Sequence, residues 1–220
     1  MSSMKAFKYR LYPSKKQAGK LQETLDWCRR LYNAALQERR DAYEIKVKRH
    51  PGYYDTETRR QLTREHGLTY ERQASELPEI KEVESAYAEI YSQVLQDVLR
   101  RLDKAFKRFF KRVKAGQTPG YPRYKGEGHY DSFTYPQSGF SLTEDHRICL
   151  SKIGTLKVKF PKGKKANAPQ GKIKTCAIKR EGTHWYVVFS AWGYKPWPRL
   201  PHPANETESR LGRSLQGTRS

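Results

Sequence analysis

Residues 5–12 alternate in character. Phe7, Tyr9 and Leu11 fall on one side and Lys8 and Arg10 on the other, the two-residue period of a half-buried strand with a cationic outer face. Pro13 closes this strand. Ser14 with Gln17 three positions on forms the pattern of a capping box. Ala18, Leu21, Leu25, Cys28, Tyr32 and Ala35 then recur at helical spacing, which predicts a helix from Ser14 to Val47. Arg29, Arg30, Arg39 and Arg40 lie off its apolar stripe.

Residues 51–78 carry a weaker pattern, read as a loop holding a polar helical piece over Thr56–Glu65. The clearest periodicity spans Glu79–Lys114. Val83, Tyr87, Ile90, Tyr91, Val94, Val98, Leu102, Phe106, Phe109 and Val113 trace one apolar face of a single predicted helix. Its last third carries Arg100, Arg101, Lys104, Lys107, Arg108, Lys111, Arg112 and Lys114. These exceed what a helix C-terminus needs to complement its dipole, so phosphate contact is the expected use, with a solvated face as the plain alternative.

The pattern changes at Ala115. Gly116, Pro119, Gly120 and Pro122 break the helix, and short strand signals follow. His146–Ser151 and Thr155–Phe160 flank Lys152-Ile153-Gly154, and Lys172–Arg180 and His184–Ala191 flank Glu181-Gly182-Thr183. Both read as hairpins. In Thr155–Phe160 the apolar Leu156, Val158 and Phe160 alternate with Lys157 and Lys159, whereas Trp185–Phe189 is apolar on both faces and is expected to be central. Residues 161–171 form a Lys-rich loop. The last stretch, rich in Pro, Arg, Ser and Gly, has no periodicity and is expected to be disordered. The order of elements predicts an α+β chain: a small β-barrel split by a helical insert. The expected divisions are residues 1–13 as first barrel strand, 14–115 as insert, 116–191 as the rest of the barrel and 192–220 as tail.

Charge narrows the function. The chain has 220 residues, with 44 Lys+Arg against 23 Asp+Glu and a formal net charge of +21. That balance points to a polyanion, nucleic acid ahead of an anionic membrane surface. No apolar run approaches a membrane span, and residues 1–10 hold no secretory core. Cys28, Cys149 and Cys176 are widely separated and form no C-x-x-C pair. They are expected to be buried free thiols in a reducing, cytoplasmic protein. The six His residues, at 50, 66, 129, 146, 184 and 202, form no H-x-H or H-E-x-x-H pair, and no phosphate-cradling glycine motif or nucleophile elbow is present. No metal, cofactor, small-molecule substrate or catalytic residue is therefore predicted.

Cations and aromatics do interleave: at Tyr53-Tyr54, at Gly120-Tyr-Pro-Arg-Tyr-Lys125 and at Phe133-Thr-Tyr-Pro-Gln137. Aromatic faces stack on unpaired bases while Lys and Arg neutralise phosphates. Lys8, Arg10, Arg123, Lys125, Lys157 and Lys159 are the candidate backbone contacts, and Tyr53, Tyr54 and Tyr135 the candidate base contacts.

These stretches, with Phe7-Lys-Tyr-Arg-Leu-Tyr-Pro-Ser-Lys-Lys-Gln17, Cys28-Arg-Arg-Leu-Tyr-Asn33, Ile153-Gly-Thr-Leu-Lys-Val158 and His184-Trp-Tyr-Val-Val-Phe189, resemble in order the landmarks of the OrfB/TnpB family of insertion-sequence proteins. The resemblance covers residues 4–191. It implies a wedge-like β-barrel split by a helical recognition insert, guide RNA and DNA as partners, and cutting by a RuvC-like domain with a zinc ribbon that follows the barrel. Family members carry the name transposase and are RNA-guided DNA nucleases. After Ala191 this sequence departs from the family pattern. No Gly-x-Asp-x-Gly stretch follows, and the acids there are Glu206 and Glu208. The expectation is a nucleic-acid-binding portion truncated before the nuclease domain and unable to cleave. An active transposase or RNA-guided endonuclease, and a decayed transposon remnant, stand as the alternatives.

Overall fold

The computed structural model describes residues 3–143, 147–160 and 172–194. Strand β1 (Ser3–Tyr12) leads into helix α1 (Lys15–Asp41). The capping box is present: Ser14 Oγ accepts from the Gln17 backbone N–H at 3.3 Å, and Gln17 Oε1 accepts from the Ser14 N–H at 2.9 Å. Gln17 Nε2 also donates to the Thr155 carbonyl at 2.7 Å. One glutamine thus starts the helix and ties it to the sheet. The predicted apolar stripe is the buried one, with Leu21, Leu25, Cys28, Tyr32 and Ala35 all enclosed. The helical run continues to Lys48, but its final segment, Ala42–Lys48, widens to a π-helix.

The predicted loop over residues 51–78 is mostly helical. It holds a 3₁₀ turn at Pro51–Tyr54, α2 (Thr56–His66), α3 (Tyr70–Ser75) and the start of α4 (Leu77–Val83). The long helix expected over Glu79–Lys114 is interrupted. A 3₁₀ turn at Ser85–Tyr87 separates α4 from α5 (Ser92–Lys114). Tertiary packing accounts for the break. Tyr87 packs edge-on against Trp27 at 5.0 Å, and Tyr91 stacks on Tyr135 at 5.8 Å. A continuous helix would also have carried Val83 on the inner stripe, and Val83 is exposed.

Seven strands form one antiparallel sheet. Beyond β1 they are β2 (Ser132–Tyr135), β3 (Phe140–Leu142), β4 (Arg147–Leu150), β5 (Gly154–Lys159), β6 (Lys172–Glu181) and β7 (His184–Tyr194), in the order β2-β6-β7-β1-β5-β4-β3. The strand farthest from the others in sequence is therefore the middle of the sheet. β7 is internal, as its two apolar faces predicted, and it runs on to Tyr194. Met4 pairs with Trp192 and Ser3 with Tyr194, so the ladder with β1 carries the strand into the segment expected to be tail. Residues 161–171 and 195–220, and with them the predicted Lys-rich loop and the rest of the tail, lie outside the described residues.

The sheet is open, not a barrel. Among the described residues no ladder joins the edge strands β2 and β3. The linker between them, residues 136–139, packs against the helical insert. The Tyr91 hydroxyl shares a hydrogen bond with Ser138 Oγ at 2.9 Å, and a Cβ on Gly139, whose φ is +84°, would overlap the Tyr91 ring. Pro136 adds a position with no backbone donor. A side chain links the two sides instead: Tyr135 Oη donates to the Ser151 carbonyl at 3.0 Å.

One hydrophobic cluster joins the inner sheet face (Tyr9, Leu11, Phe133, Ile148, Leu156, Val187 and Phe189) to α1 and α5. Arg101 fixes α5 to β2. It donates from Nε to Asp97 at 2.8 Å, from Nη1 to the Ser132 carbonyl at 2.7 Å and from Nη2 to Thr134 Oγ1 at 2.6 Å. It is thus an internal brace and not a member of the phosphate-facing row expected for α5. Hydrogen bonds to a charged group each contribute about 1.5–3 kcal/mol net. Arg101→Met is accordingly expected to lower unfolding stability by about 2–3 kcal/mol in urea titration. The exposed Lys104→Met should change it by no more than about 0.5 kcal/mol. Equal effects at the two positions would overturn the brace.

Candidate nucleic-acid interface

Residues directly opposite in an antiparallel ladder share a face. The registers therefore build the outer face of the sheet in rows. One row runs Lys159, Arg10, Tyr186, Lys179 and Ser132 across five strands. A second runs Arg147, Lys157 and Tyr12. Lys8 lies on the same face, two residues from Arg10. Four predicted contacts, Lys8, Arg10, Lys157 and Lys159, are thus brought together, and Arg147 and Lys179 join them. In two places like charges stand directly opposite, Lys159 against Arg10 and Arg147 against Lys157. Such pairs are destabilising by themselves, so the fold alone gives no reason for them.

The cations differ in availability. Lys8 Nζ pairs with Glu181 at 2.6 Å and sits 4.2 Å from the Tyr186 ring centroid. Lys179 reaches the other Glu181 oxygen at 3.2 Å and Asp131 at 3.6 Å. The two ammonium groups bonded to Glu181 hold its carboxyl below the usual glutamate range. Arg10 Nη2 lies 3.2 Å from the His184 ring and its guanidinium 5.1 Å from the Tyr12 ring. Lys157 and Lys159 are exposed and make no ion pair among the described residues.

The remaining predicted residues are placed elsewhere. The 120–125 loop is pinned to α1, where Asn33 Oδ1 accepts from the Lys125 N–H at 2.8 Å and Asn33 Nδ2 donates to the Lys125 carbonyl at 2.9 Å. The Tyr124 hydroxyl bonds Gln37. Arg123 is exposed, and the Lys125 ammonium sits 5.9 Å from the Tyr32 ring centroid. Tyr53 and Tyr54 lie in the insert, edge to face at 5.5 Å, with Tyr53 sharing a 3.3 Å hydroxyl contact with Tyr43. Tyr54 is 90% exposed. Tyr135 is a correction: its ring is 1% exposed, stacked on Tyr91 and bonded to Ser151. No base can reach it. An aromatic in a short strand reads the same from sequence whether it faces in or out.

Sequence reasoning missed a cleft of about 790 Å³ between the end of α1, the α2–α3 segment and α5. Phe106, Phe109, Phe110 and Tyr121 line it, with Arg39, Arg40, Arg64 and Lys107 among them. The signal was present as three aromatics on α5, Phe106, Phe109 and Phe110, that extend beyond the core.

Two thiols are buried as predicted, Cys28 and Cys176, and Cys149 is partly exposed. Burial pushes the Cys28 thiol up to about 12. Among the described residues no three His, Cys, Asp or Glu side chains gather as a set of metal ligands. No helix among them is long and apolar enough to cross a membrane.

The fold and surface define a basic α+β chain that presents cations from one sheet face and cations with aromatics from its helical insert. Residues 1–48 match a family model described as a helix-turn-helix domain, the OrfB type of IS605 elements. Residues of this chain are 27% identical over 189 positions to the "Putative RNA-guided DNA endonuclease InsQ" of Escherichia coli K12, covering 85% of the chain and 40% of that protein. They are 33% identical over 141 positions to a "Putative RNA-guided DNA endonuclease" of Streptomyces pristinaespiralis, covering 62% of the chain and 29% of that protein. These matches support membership of the OrfB/TnpB family of insertion-sequence proteins. It spans about two fifths or less of the length of these curated relatives.

Glu181 is the acid embedded in the cationic rows. Glu181→Gln would release Lys8 and Lys179 from it. We expect tighter binding to a single-stranded nucleic acid, and a plot of log K against log salt steeper by up to about 0.7 for each further phosphate neutralised. Fluorescence anisotropy over a salt series reads both. Unchanged or weaker binding would remove the outer face from the interface.

Proposed function

We propose that this chain is a nucleic-acid-binding module that holds RNA and DNA for an OrfB/TnpB-type system and does no cutting with its own residues. The observation that carries the reading is the outer sheet face, where Arg147, Lys157, Lys159 and Arg10 meet in two like-charged cross-strand pairs. Such repulsion is offset when a polyanion covers the face and its counterions are released. The relatives, described as RNA-guided DNA endonucleases, supply the kind of polyanion, an RNA guide and a DNA target. In RNA-guided systems base pairing reads sequence, while the protein holds backbone and reads shape. A face of flexible lysines and arginines on a rigid sheet suits the second task.

The non-cutting part rests on the acids. Asp97 is held by Arg101, Asp103 by Arg39 and Lys107, and Glu181 by Lys8 and Lys179. Two-metal cleavage needs carboxylates free to share ions between the attacking and leaving oxygens. We place the chain's work in the bacterial cytoplasm, where insertion-sequence DNA and its transcripts are found together.

The purified 220-residue chain should bind RNA with a steep salt dependence. The Lys157→Ala/Lys159→Ala double variant should flatten the slope by up to about 0.7 for each phosphate it no longer neutralises on single strands, or about 0.9 on duplex DNA. An unchanged slope and affinity would reject the strand assignment. Magnesium-dependent cleavage by this chain, abolished by replacing one acid, would reject the non-cutting half.

A further inference from the structure

The cleft beneath the end of α1 has a lining that the sheet-face reading does not use. Phe106 and Phe109 each meet Tyr121 edge to face, at 5.4 and 5.2 Å, and Phe110 packs against both phenylalanines. The cluster is left open to solvent, with Phe110 52% and Tyr121 40% exposed. At its base sits Arg39, whose side chain is 7% exposed and whose guanidinium lies 5.1 Å from the Phe106 ring. Nε of Arg39 donates to Gln73 Oε1 at 2.8 Å and Nη1 to Asp103 at 3.4 Å. Nη2 is buried and has no acceptor among the described residues. A buried, unsatisfied guanidinium donor is costly and marks a place where an acceptor belongs.

The acids of the lining do not supply one. Asp103 is shared between Arg39 and Lys107, and Glu44 is paired with Lys48. Arg40, Arg64 and Lys107 leave the rim cationic. An occupant must therefore offer a flat apolar body, a hydrogen-bond acceptor on its edge and a negative charge outside. An unpaired nucleotide has all three. The volume, about 790 Å³, falls within the roughly 300–1,000 Å³ range of small-molecule sites.

We propose that this cleft holds one unpaired base of the bound nucleic acid. The base packs on Phe110 and Tyr121, Arg39 Nη2 donates to an edge oxygen or ring nitrogen, and Arg40, Arg64 and Lys107 take the flanking phosphates. This rests on the nucleic-acid-binding reading above and adds a base-holding site to it. Stacking of this kind tolerates any base, and each of the four presents an edge acceptor to the arginine.

The test uses the whole chain and two labelled probes of about 12 nucleotides, within the usual site size of a single-strand binder: oligouridylate and an abasic ribose-phosphate strand of the same length. The wild-type chain should bind the oligouridylate more tightly. Phe110→Ala should weaken it by about fivefold or more and leave abasic binding within about twofold. Phe110 is half exposed, so the variant is expected to fold, with circular dichroism as the check and Tyr121→Leu as a second variant. If neither probe binds the wild-type chain, the nucleic-acid reading itself fails and this inference with it. If both probes bind and Phe110→Ala changes neither, or weakens both alike, the base site is overturned while the sheet-face reading stands. Concentration-dependent dimerisation lost in Phe110→Ala, with no change in base-dependent binding, would also overturn it, by assigning the cleft to a second copy of the chain.

Discussion

Strand β1 must be buried on one face and sandwiched on both edges before the rest of the molecule has a framework. Its partners β5 and β7 come from the far end of the chain, so the ladders Arg10–Lys159 and Phe7–Phe189 close loops of well over a hundred residues. Such closure costs chain entropy before any contact offsets it. The offset comes from the inner face, where Tyr9 and Leu11 join the cluster built by α1 and α5. The same backbone forces Lys8 and Arg10 outward. Core and cationic surface are therefore two sides of one strand. Neither can be shifted in register without exchanging the other, because a one-residue slip reverses every side chain.

Position then passes from sheet to insert through a few polar contacts. Gln17 starts α1 and holds the Thr155 carbonyl, Arg101 binds α5 to β2, and Asn33 fixes the 120–125 loop to α1. Each is a side chain satisfying backbone groups that a packed core would leave unpaired. The charge imbalance has a structural side as well. Asp97, Asp103 and Glu181 are engaged by cations that also bond the fold. Their negative charge is thereby paired within the molecule, and the excess of Lys and Arg is turned toward solvent.

Much of this was legible in the sequence, for identifiable reasons. The Ser14–Gln17 box, the α1 stripe, the alternation of β1 and β5, and the central place of β7 rest on local patterns that the fold leaves intact. The break between α4 and α5 was not legible, because Tyr87 and Tyr91 fit a helical period as well as they fit Trp27 and Tyr135. The open sheet was not legible either: the Tyr91 ring lies against Gly139 beside the two edge strands, a contact made across nearly fifty residues. At the site, the strand cations were found because alternation assigns them a face. Tyr135 was misplaced because aromatic identity does not say which face. The cleft escaped notice because its walls come from four segments, and aromatics on a helix read first as core.

The helix-turn-helix description of residues 1–48 bears on how recognition works. In this chain those residues form β1, α1 and a π-helical extension. A strand and one long helix are present, with no second helix set across the first by a tight turn. The arrangement that lays a recognition helix in a major groove is not what these residues build. α1 has its apolar stripe in the core and is tied to the sheet by Gln17 and to the 120–125 loop by Asn33. What the molecule does present is a rigid cationic sheet, a pinned loop carrying Arg123 and an aromatic cleft. Those features suit a nucleic acid recognised through backbone, shape and splayed bases.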